Sequence, residues 1–308
     1  MLESIGIPLL LFLLFALLIK KPVYKLWDSR ACQSYSVEVP EEKKISVDGN
    51  EVKFLILSDT GSGDKNQGRV AESSQKTCDE KGCDLVILAG DNFIQTGVSS
   101  TNDEQWDSKF ESMYSQNLLF FAALGNHDLK GNWKAQIEYT KISDRWYMPS
   151  TNYSFTAGPI DFQIINTTCS ITSLWRLYRK KTNPWTIGIG HHPAISSGRH
   201  GGMTWLERFI VSRSGIDFFI SGHNHVMEHL IHKNFEQIIA GGGGSPIEKS
   251  TKPLRPETRY FNENFGYIWA NITPDQAKFH FFDIDGKETY QSITRQKQND
   301  SYSINQKN

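Results

Sequence analysis

The fold of this 308-residue chain is decided by one repeated arrangement, and its clearest copy is "FFAALGNHD", Phe120 to Asp128. An apolar run of strand length is followed by a small residue and then by a cluster of polar side chains. Four other stretches repeat this order: "KFLILSDTG" (53–61), "DLVILAGDN" (84–92), "WTIGIGHHP" (185–193) and "DFFISGHNH" (217–225). Each apolar run has the composition of a buried strand, and each polar cluster falls where that strand would end.

Two stretches between the predicted strands have helical character, Gln67 to Lys81 and Asp103 to Ser115. Strands that alternate with helices predict an α/β fold in which helices cover the sheet. In such folds sites are assembled at the carboxyl ends of strands. We therefore expect the five polar clusters to meet.

The residues of these clusters indicate metal chemistry. The candidate ligands are Asp59, Asp91, Asn126, His191, His223 and His225. Carboxylate, amide and imidazole groups form the mixed oxygen and nitrogen set that suits iron, zinc or manganese. So many ligands exceed the needs of one ion. Two ions about 3.5 to 4 Å apart, bridged by a carboxylate, would use them all and would clamp a phosphoryl group during hydrolysis.

Composition limits the partners. The formal net charge is -1, with 38% hydrophobic and 22% charged residues, which fits one large globular domain. No basic excess favours binding along a nucleic-acid backbone. We expect a phosphate-ester substrate, no nucleic acid, and a protein partner that the sequence does not identify.

The N-terminus carries an uninterrupted apolar run from Ile5 to Ile19. Glu3 precedes the run and Lys20 and Lys21 follow it, which is the reverse of a signal peptide, so an uncleaved membrane anchor is favoured. If the segment were cleaved, the protein would be secreted. The positive-inside rule favours a cytoplasmic domain, although it is weak for so short an N-terminus. The expected layout is an anchor over 1–30, a linker over 31–50, the main domain over 51–293 and a polar tail over 294–308.

The four cysteines, Cys32, Cys78, Cys83 and Cys169, lack the paired spacing of a zinc knuckle. The default prediction for each is a free or locally paired thiol.

Two further stretches have simple interpretations. Gly241 to Gly244 are expected to be close-packed backbone near the metal cluster, and the basic run Arg179 to Lys181 is expected to be a solvated turn rather than a lipid or substrate contact.

The order of these motifs resembles the metallophosphoesterases, and within them the purple acid phosphatase branch and its small tartrate-resistant acid phosphatases. The resemblance is carried by "GDNF" (90–93), "GNHD" (125–128), "AQIEYTKISDRW" (135–146), "GHHP" (190–193), "RHGG" (199–202) and "GHNH" (222–225). It implies a four-layer α/β/β/α sandwich with a dinuclear metal site at the strand C-terminal ends, here preceded by the N-terminal hydrophobic helix. It also implies an acid phosphatase-like hydrolase that attacks phosphate monoesters with a metal-bound hydroxide.

The resemblance assigns roles to individual residues. Asp91 matches the carboxylate that bridges the two metals. Asn126, His191 and His223 match the other ligands of the divalent metal, and Asp59 and His225 match ligands of the other metal, which is ferric iron in the purple enzymes. His127 and His200 match the histidines that contact the ester and protonate its leaving group; imidazole suits that role because its pKa lies near neutral pH. A family disulfide would pair a cysteine near position 169 with the region of Trp205, so the resemblance implies that Cys169 has no partner.

One ligand of the family is missing. Ile94 occupies the position of a tyrosine that binds ferric iron and gives the purple colour. The wider superfamily instead uses a histidine two residues after the first aspartate, where this chain has Gly61. We expect a first metal site that is looser or takes a divalent ion, and a protein that is not purple. The alternative is a membrane-anchored scaffold or binding protein with weak or no catalysis.

Overall fold

The computed structural model describes residues 32–39, 44–45, 50–115 and 117–295. The predicted anchor over 1–30 and nearly all of the predicted tail over 294–308 lie outside these residues. Over the described part of the chain, no helix has both the length and the apolar character needed to cross a membrane.

The described residues form fifteen strands, four α-helices and four shorter helical turns. The strands are β1 (Lys44–Ile45), β2 (Val52–Leu57), β3 (Leu85–Leu88), β4 (Phe120–Ala122), β5 (Trp146–Tyr147), β6 (Tyr153–Ala157), β7 (Ile160–Ile164), β8 (Trp185–Ile189), β9 (Phe218–Ser221), β10 (Met227–Ile231), β11 (Glu236–Ala240), β12 (Thr258–Asn262), β13 (Gly266–Ile272), β14 (Gln276–Asp283) and β15 (Glu288–Arg295). The α-helices are α1 (Lys65–Lys81), α2 (Trp133–Glu138), α3 (Ser170–Leu174) and α4 (Trp205–Arg213). Shorter helical turns are Asp107–Glu111, which is π-helical, and the 3-10 turns Asp128–Lys130, Tyr139–Lys141 and Trp175–Leu177.

These strands form two sheets. The first has the order β15-β14-β13-β2-β3-β4-β5, and the second has the order β1-β6-β7-β8-β9-β11-β10-β12. Strands β2 to β5 are mutually parallel, as are β7, β8 and β9. The five strand-and-cluster repeats are therefore divided: three belong to the first sheet and two to the second. Two sheets are what the predicted α/β/β/α sandwich requires, and the carboxyl ends converge because the two sheets are stacked.

The sheets pack face to face around the largest apolar cluster. Phe54 of the first sheet and Phe162 of the second meet edge to face, with ring centroids 5.5 Å apart. A second cluster lies between the outer face of the first sheet and α1, α2 and the π-helical turn. A third lies between the outer face of the second sheet and helices α3 and α4. The result is a mixed α/β fold of two packed sheets with helices on each outer side, consistent with the predicted α/β/β/α sandwich.

Helix α1 confirms the first helix prediction and begins two residues earlier, at Lys65. The Asp64 side chain caps it by accepting hydrogen bonds from the backbone N–H groups of Asn66 and Gln67. Gly82 ends it with a φ of 83°, which favours glycine. The second prediction, 103–115, is too long: the helical residues run from 105 to 111, and Asp107–Glu111 are π-helical. Trp106 keeps a helical backbone, with φ of -58° and ψ of -47°, and its ring stacks on Tyr139 with centroids 3.5 Å apart.

All four cysteines are paired. Cys78 bonds Cys83, which is the local pairing that the sequence left open. Cys169 bonds Cys32, so the expectation that Cys169 has no partner is wrong. The N-terminal segment runs beside the loop that ends at Thr151, where the Thr151 N–H donates to the Tyr35 carbonyl at 3.2 Å. This path brings Cys32 to a cysteine 137 positions away.

Candidate metal centre

The six predicted ligands lie on loops that leave five parallel strand ends. Asp59, Asp91 and Asn126 follow β2, β3 and β4 of the first sheet, and the three histidines follow β8 and β9 of the second. Asp59, Asp91 and His223 have positive φ angles of 56°, 52° and 67°, which non-glycine residues seldom adopt. Backbone strain of this kind concentrates at functional sites, where the surrounding structure enforces it.

A buried triad forms the centre of the site. Ligand atoms of Asp59, Asp91 and His191 all lie within 4.8 Å of one another, and each residue is at most 1% exposed. His191 Nε2 is 3.2 Å from Asp91 Oδ2 and 4.0 Å from Asp59 Oδ1. His225 Nε2 approaches from the other side, 3.4 Å from Asp59 Oδ1.

Three candidate ligand atoms are buried without a well-formed hydrogen bond among the described residues: Asp59 Oδ1, Asn126 Oδ1 and His191 Nε2. Asp59 Oδ1 and His191 Nε2 have only carboxylate–imidazole contacts, at 3.4 Å to His225 and 3.2 Å to Asp91. Buried polar atoms are nearly always paired, so orphaned atoms at neighbouring strand ends indicate a missing partner. The ligand atoms of Asp59 and His191 lie within 4.8 Å of each other. Two of the three are oxygens, and a cation is the partner that accepts electron pairs from oxygen and imidazole nitrogen alike. The donor set therefore fits metal ions.

Hydrogen bonds orient the ligands. The His223 N–H donates to Asp59 Oδ2 at 3.0 Å, and the His127 N–H donates to Asp91 Oδ1 at 2.8 Å. His191 Nδ1 and His225 Nδ1 each face a backbone carbonyl, at 3.0 and 2.7 Å. A proton on Nδ1 leaves the lone pair of Nε2 directed at the carboxylates, which is the tautomer that a metal requires.

The charges of the site favour cations. Burial lowers the pKa of His191, but the charges of Asp91 and Asp59 outweigh burial and raise that pKa to about 9. Burial likewise opposes protonation of His225, whose pKa the Asp59 carboxylate raises to about 9. Burial raises the pKa of Asp91, but His191 holds it below its usual value. Without metal, protons on the imidazoles supply the positive charge that the carboxylates require.

The two predicted substrate histidines lie at the edge of this centre. His200 is 40% exposed at its side chain, and its ring centroid is 4.8 Å from that of His223. Both rings line a cavity of about 200 Å³. His127 is half-buried, and its Nδ1 lies 3.2 Å from both the Gln95 carbonyl and Lys130 Nζ. The cavity gives a small ester access to His200.

Three polar residues near the site were missed by the sequence analysis. Glu248 Oε2 lies 2.6 Å from His200 Nε2, and nothing in "SPIEKS" signals that contact. His192 lines the same cavity, and burial followed by the charge of His191 lowers its pKa to about 3, so it is neutral. Asp128, the last residue of "GNHD", is fully buried behind two ligand loops; the motif contained it, but its role depends on contacts between loops.

Gly61, the position of the superfamily's alternative histidine ligand, is closed by backbone. The Ile94 N–H donates to the Gly61 carbonyl at 3.0 Å. This backbone hydrogen bond joins the position of the family's tyrosine ligand to that of the superfamily's histidine ligand. A Cβ atom on Gly61 would lie 2.2 Å from the Asn92 carbonyl oxygen. No side chain fits at position 61 while this loop keeps its path. Neither position supplies a ligand.

The glycine run lies against the first aspartate, as expected. A Cβ atom on Gly241 would lie 3.2 Å from Asp59 Oδ2, and one on Gly243 would lie 2.3 Å from the Ser58 carbonyl. The Ser245 N–H and hydroxyl both donate to the Asp59 carbonyl, at 2.9 and 2.7 Å. Glycine is required here because the two backbones are in contact.

A two-sheet α/β fold with these ligand-bearing loops defines a metallophosphoesterase. The chain belongs to the calcineurin-like phosphoesterase family, which matches residues 52–227. Its relatives include purple acid phosphatases, which confirms the resemblance read from the motifs.

Among the relatives, purple acid phosphatase 7 of Arabidopsis thaliana is 27% identical and covers 82% of this chain and 88% of its own length. Tartrate-resistant acid phosphatase type 5 of Oryctolagus cuniculus is 26% identical and covers 68% and 79%. Among solved structures, GAP50, described as the anchor in the inner membrane complex of Plasmodium, superposes with a TM-score of 0.73 at 23% identity, covering 81% of this chain and 90% of its own. This last likeness is one of fold.

Proposed function

We propose that the chain is a metal-dependent phosphatase that hydrolyses phosphate monoesters at a dinuclear site. The observation that carries the proposal is the set of orphaned buried ligand atoms on Asp59, Asn126 and His191. A family of phosphoesterases and relatives named acid phosphatases give the reaction class.

Each metal would have its own ligands. Asp59, Asp91 and His225 would hold the first ion, and Asn126, His191 and His223 would hold the second together with the shared Asp91. Iron, zinc and manganese all suit these donors. When bound, the two ions would neutralise charge on the phosphoryl group and lower the pKa of attacking water.

The chain's own groups would position and protonate the ester. His200 Nε2 lies 2.6 Å from Glu248 Oε2 at the wall of the cavity, where it would hold a proton. From there it would supply that proton to the leaving oxygen, and Glu248 would orient the ring. The His127 backbone N–H donates a hydrogen bond to Asp91 Oδ1. The His127 side chain would contact the phosphate from the opposite loop.

Ile94 would change the metal rather than the reaction. An anionic phenolate stabilises ferric iron most, so its loss should favour a divalent ion in the first site. Three protein ligands with solvent still make a catalytic site, as they do for zinc.

Location is a separate proposal. We infer that the apolar run Ile5–Ile19 anchors the domain in a membrane, and that the domain lies on the oxidising side. Disulfides persist outside the reducing cytosol, and all four cysteines here are paired. This reverses the weak preference of the positive-inside rule.

The test is hydrolysis of p-nitrophenyl phosphate by the full chain in detergent, from about pH 4 to 9, after removal of metals and titration with iron, zinc or manganese. We expect metal-dependent turnover that Asp91→Asn lowers by at least about 1,000-fold. Asp161→Asn is the matched control, because Asp161 is also a buried carboxylate with several donors but belongs to β7, away from the site. Folded protein without turnover under any metal would overturn the proposal.

The second candidate function is a phosphatase-like scaffold held on a membrane. Two observations favour it: the missing ligand at Ile94, and the fold likeness to a Plasmodium protein described as an anchor. A scaffold's partner binding would be indifferent to Asp91→Asn, whereas a phosphatase would lose its activity and stay folded.

A further inference from the structure

Aromatic side chains are exposed on the outer side of the second sheet. Trp175, Trp205 and Phe209 are 56%, 54% and 53% exposed, and Tyr178 is 42% exposed. The other tryptophans in the described residues are at most 7% exposed. We call the surface formed by Trp175, Tyr178, Trp205 and Phe209 the aromatic face.

The aromatic face is continuous across two helical segments. The rings of Trp175 and Tyr178 are 5.2 Å apart, and the Tyr178 hydroxyl donates to the Ile210 carbonyl of α4 at 2.9 Å. Arg213 Cζ lies 5.5 Å from the centroid of the Phe209 ring. Burial raises the pKa of Tyr178, and the nearby charge of Arg213 partly opposes that rise. Trp205 and Phe209 are four residues apart, so they share one side of α4.

This face is positively charged in a chain of nearly neutral net charge. The segments 175–181 and 205–213 carry six cationic side chains: Arg176, Arg179, Lys180, Lys181, Arg208 and Arg213. Their one acidic residue, Glu207, is engaged in the cap of α4, where it accepts from the Thr204 N–H and hydroxyl. Lys181 pairs with Asp217, which lies outside these segments. The other five cations form no salt bridge among the described residues.

A covalent bond places this face next to the predicted anchor. Trp175 lies one short helix after Cys169, and Cys169 is bonded to Cys32. The apolar run ends at Ile19, and residues 20 to 31 span at most about 40 Å even when fully extended. The disulfide therefore holds Cys32, at the beginning of the domain, close to the aromatic face, and the linker limits the bilayer that would contain the run to about 40 Å from Cys32.

We propose that the aromatic face rests on the lipid headgroups of the membrane that holds the N-terminal segment. Tryptophan and tyrosine partition to the membrane interface because one end of each ring is apolar and the other is polar. Arginine and lysine beside them are attracted to anionic headgroups, by about 1 kcal/mol each near the surface. This contact would replace the solvated turn that the sequence predicts for Arg179 to Lys181. The inference rests on the proposed membrane attachment and is independent of phosphatase activity.

Tryptophan fluorescence tests the contact directly. The full chain carrying Trp27→Phe, which removes the one tryptophan outside the described residues, is reconstituted into vesicles of phosphatidylcholine with about one quarter phosphatidylglycerol. Flotation first measures attachment. Bromine-labelled phosphatidylcholine then quenches tryptophans at the headgroup level, and we expect loss of the emission carried by Trp175 and Trp205.

Paired variants assign the quenched emission. Trp175→Phe with Trp205→Phe should abolish the quenching, whereas Trp269→Phe, a matched change at a buried tryptophan of the first sheet, should retain it. Arg176→Glu with Arg179→Glu should reduce quenching in the anionic vesicles, and pure phosphatidylcholine should reduce it likewise.

The outcomes separate the two proposals. Flotation without quenching would leave the anchor intact and overturn the contact of this face with lipid. Failure to float would overturn both. Exposed tryptophans shielded from brominated lipid and from aqueous acrylamide, with a cross-linked dimer, would show a second copy on this face and would also overturn the proposal.

Discussion

Asp128 is expected to lock the two loops that carry Asp91 and Asn126. It is fully buried, and both of its oxygens accept hydrogen bonds. Oδ2 accepts from the N–H groups of Asn92 and Gly125 and from the Asn92 side chain, at 3.2, 2.8 and 3.3 Å. Oδ1 accepts from the Phe93 N–H and the Gln136 side chain, at 3.1 and 2.9 Å.

Asp128→Asn replaces one accepting oxygen by a donating NH₂ group. The new amide loses fewer hydrogen bonds when its NH₂ group takes the place of Oδ1, which accepts two, rather than of Oδ2, which accepts three. In that orientation the Phe93 N–H and the Gln136 amide each face another donor. Each unpaired buried donor costs about 1 to 3 kcal/mol. Part of this is offset, because burial and then the charge of Asp91 raise the pKa of Asp128 to about 7, so its charge is already disfavoured. We expect a net loss of about 2 to 3 kcal/mol.

Two measurements check this expectation. For a domain of this size the loss corresponds to a melting temperature lower by about 4 to 12 °C. Loosened ligand loops should also weaken zinc binding by about 10- to 100-fold in calorimetric titration of the metal-free protein, because groups that orient ligands contribute that much to affinity.

Asp161→Asn provides the matched comparison. Asp161 accepts four hydrogen bonds from Thr182 and Asn183 at 2.6 to 3.0 Å, away from the metal centre. The Asp161→Asn variant should have a lower melting temperature and an unchanged zinc affinity. Equal zinc affinity in the two variants, or an unchanged melting temperature for Asp128→Asn, would refute the reasoning.

Three further predictions follow from the same geometry. The pKa values of His191 and His225 are raised to about 9, so both side chains are protonated below that pH in the metal-free protein. Because a metal must displace these protons, zinc affinity should rise with pH up to about 9. Calorimetry in buffers of different ionisation enthalpy should detect the released protons. A pH-independent affinity would contradict this. Ile94→Tyr should restore a visible charge-transfer band in protein loaded with ferric iron, whereas an unchanged spectrum would show that residue 94 does not reach the ion. Cys169→Ser opens a link across 137 positions and should lower unfolding free energy by at most about 5 kcal/mol, measured in urea; no change would mean that the bond to Cys32 does not constrain the domain.

Local patterns predicted the parts of the fold that depend on neighbours in the chain. The apolar runs before "GDN", "GNHD" and "GHNH" became β3, β4 and β9, because burial on both faces requires continuous apolar sequence. Helix α1 was predicted within two residues. The helix expected at 103–115 extends only over 105–111 and is mostly π-helical, a hydrogen-bond pattern that apolar spacing does not encode.

Local sequence was enough to predict the candidate ligand types, their order and their position at strand ends, because a strand end fixes where the next few residues lie. Tertiary packing was needed to show that Cys32 meets Cys169, that Glu248 meets His200, and that backbone closes the space beside Gly61. Each of these contacts joins residues far apart in the chain. Their distance depends on the packing of all the elements between them, which no local pattern encodes.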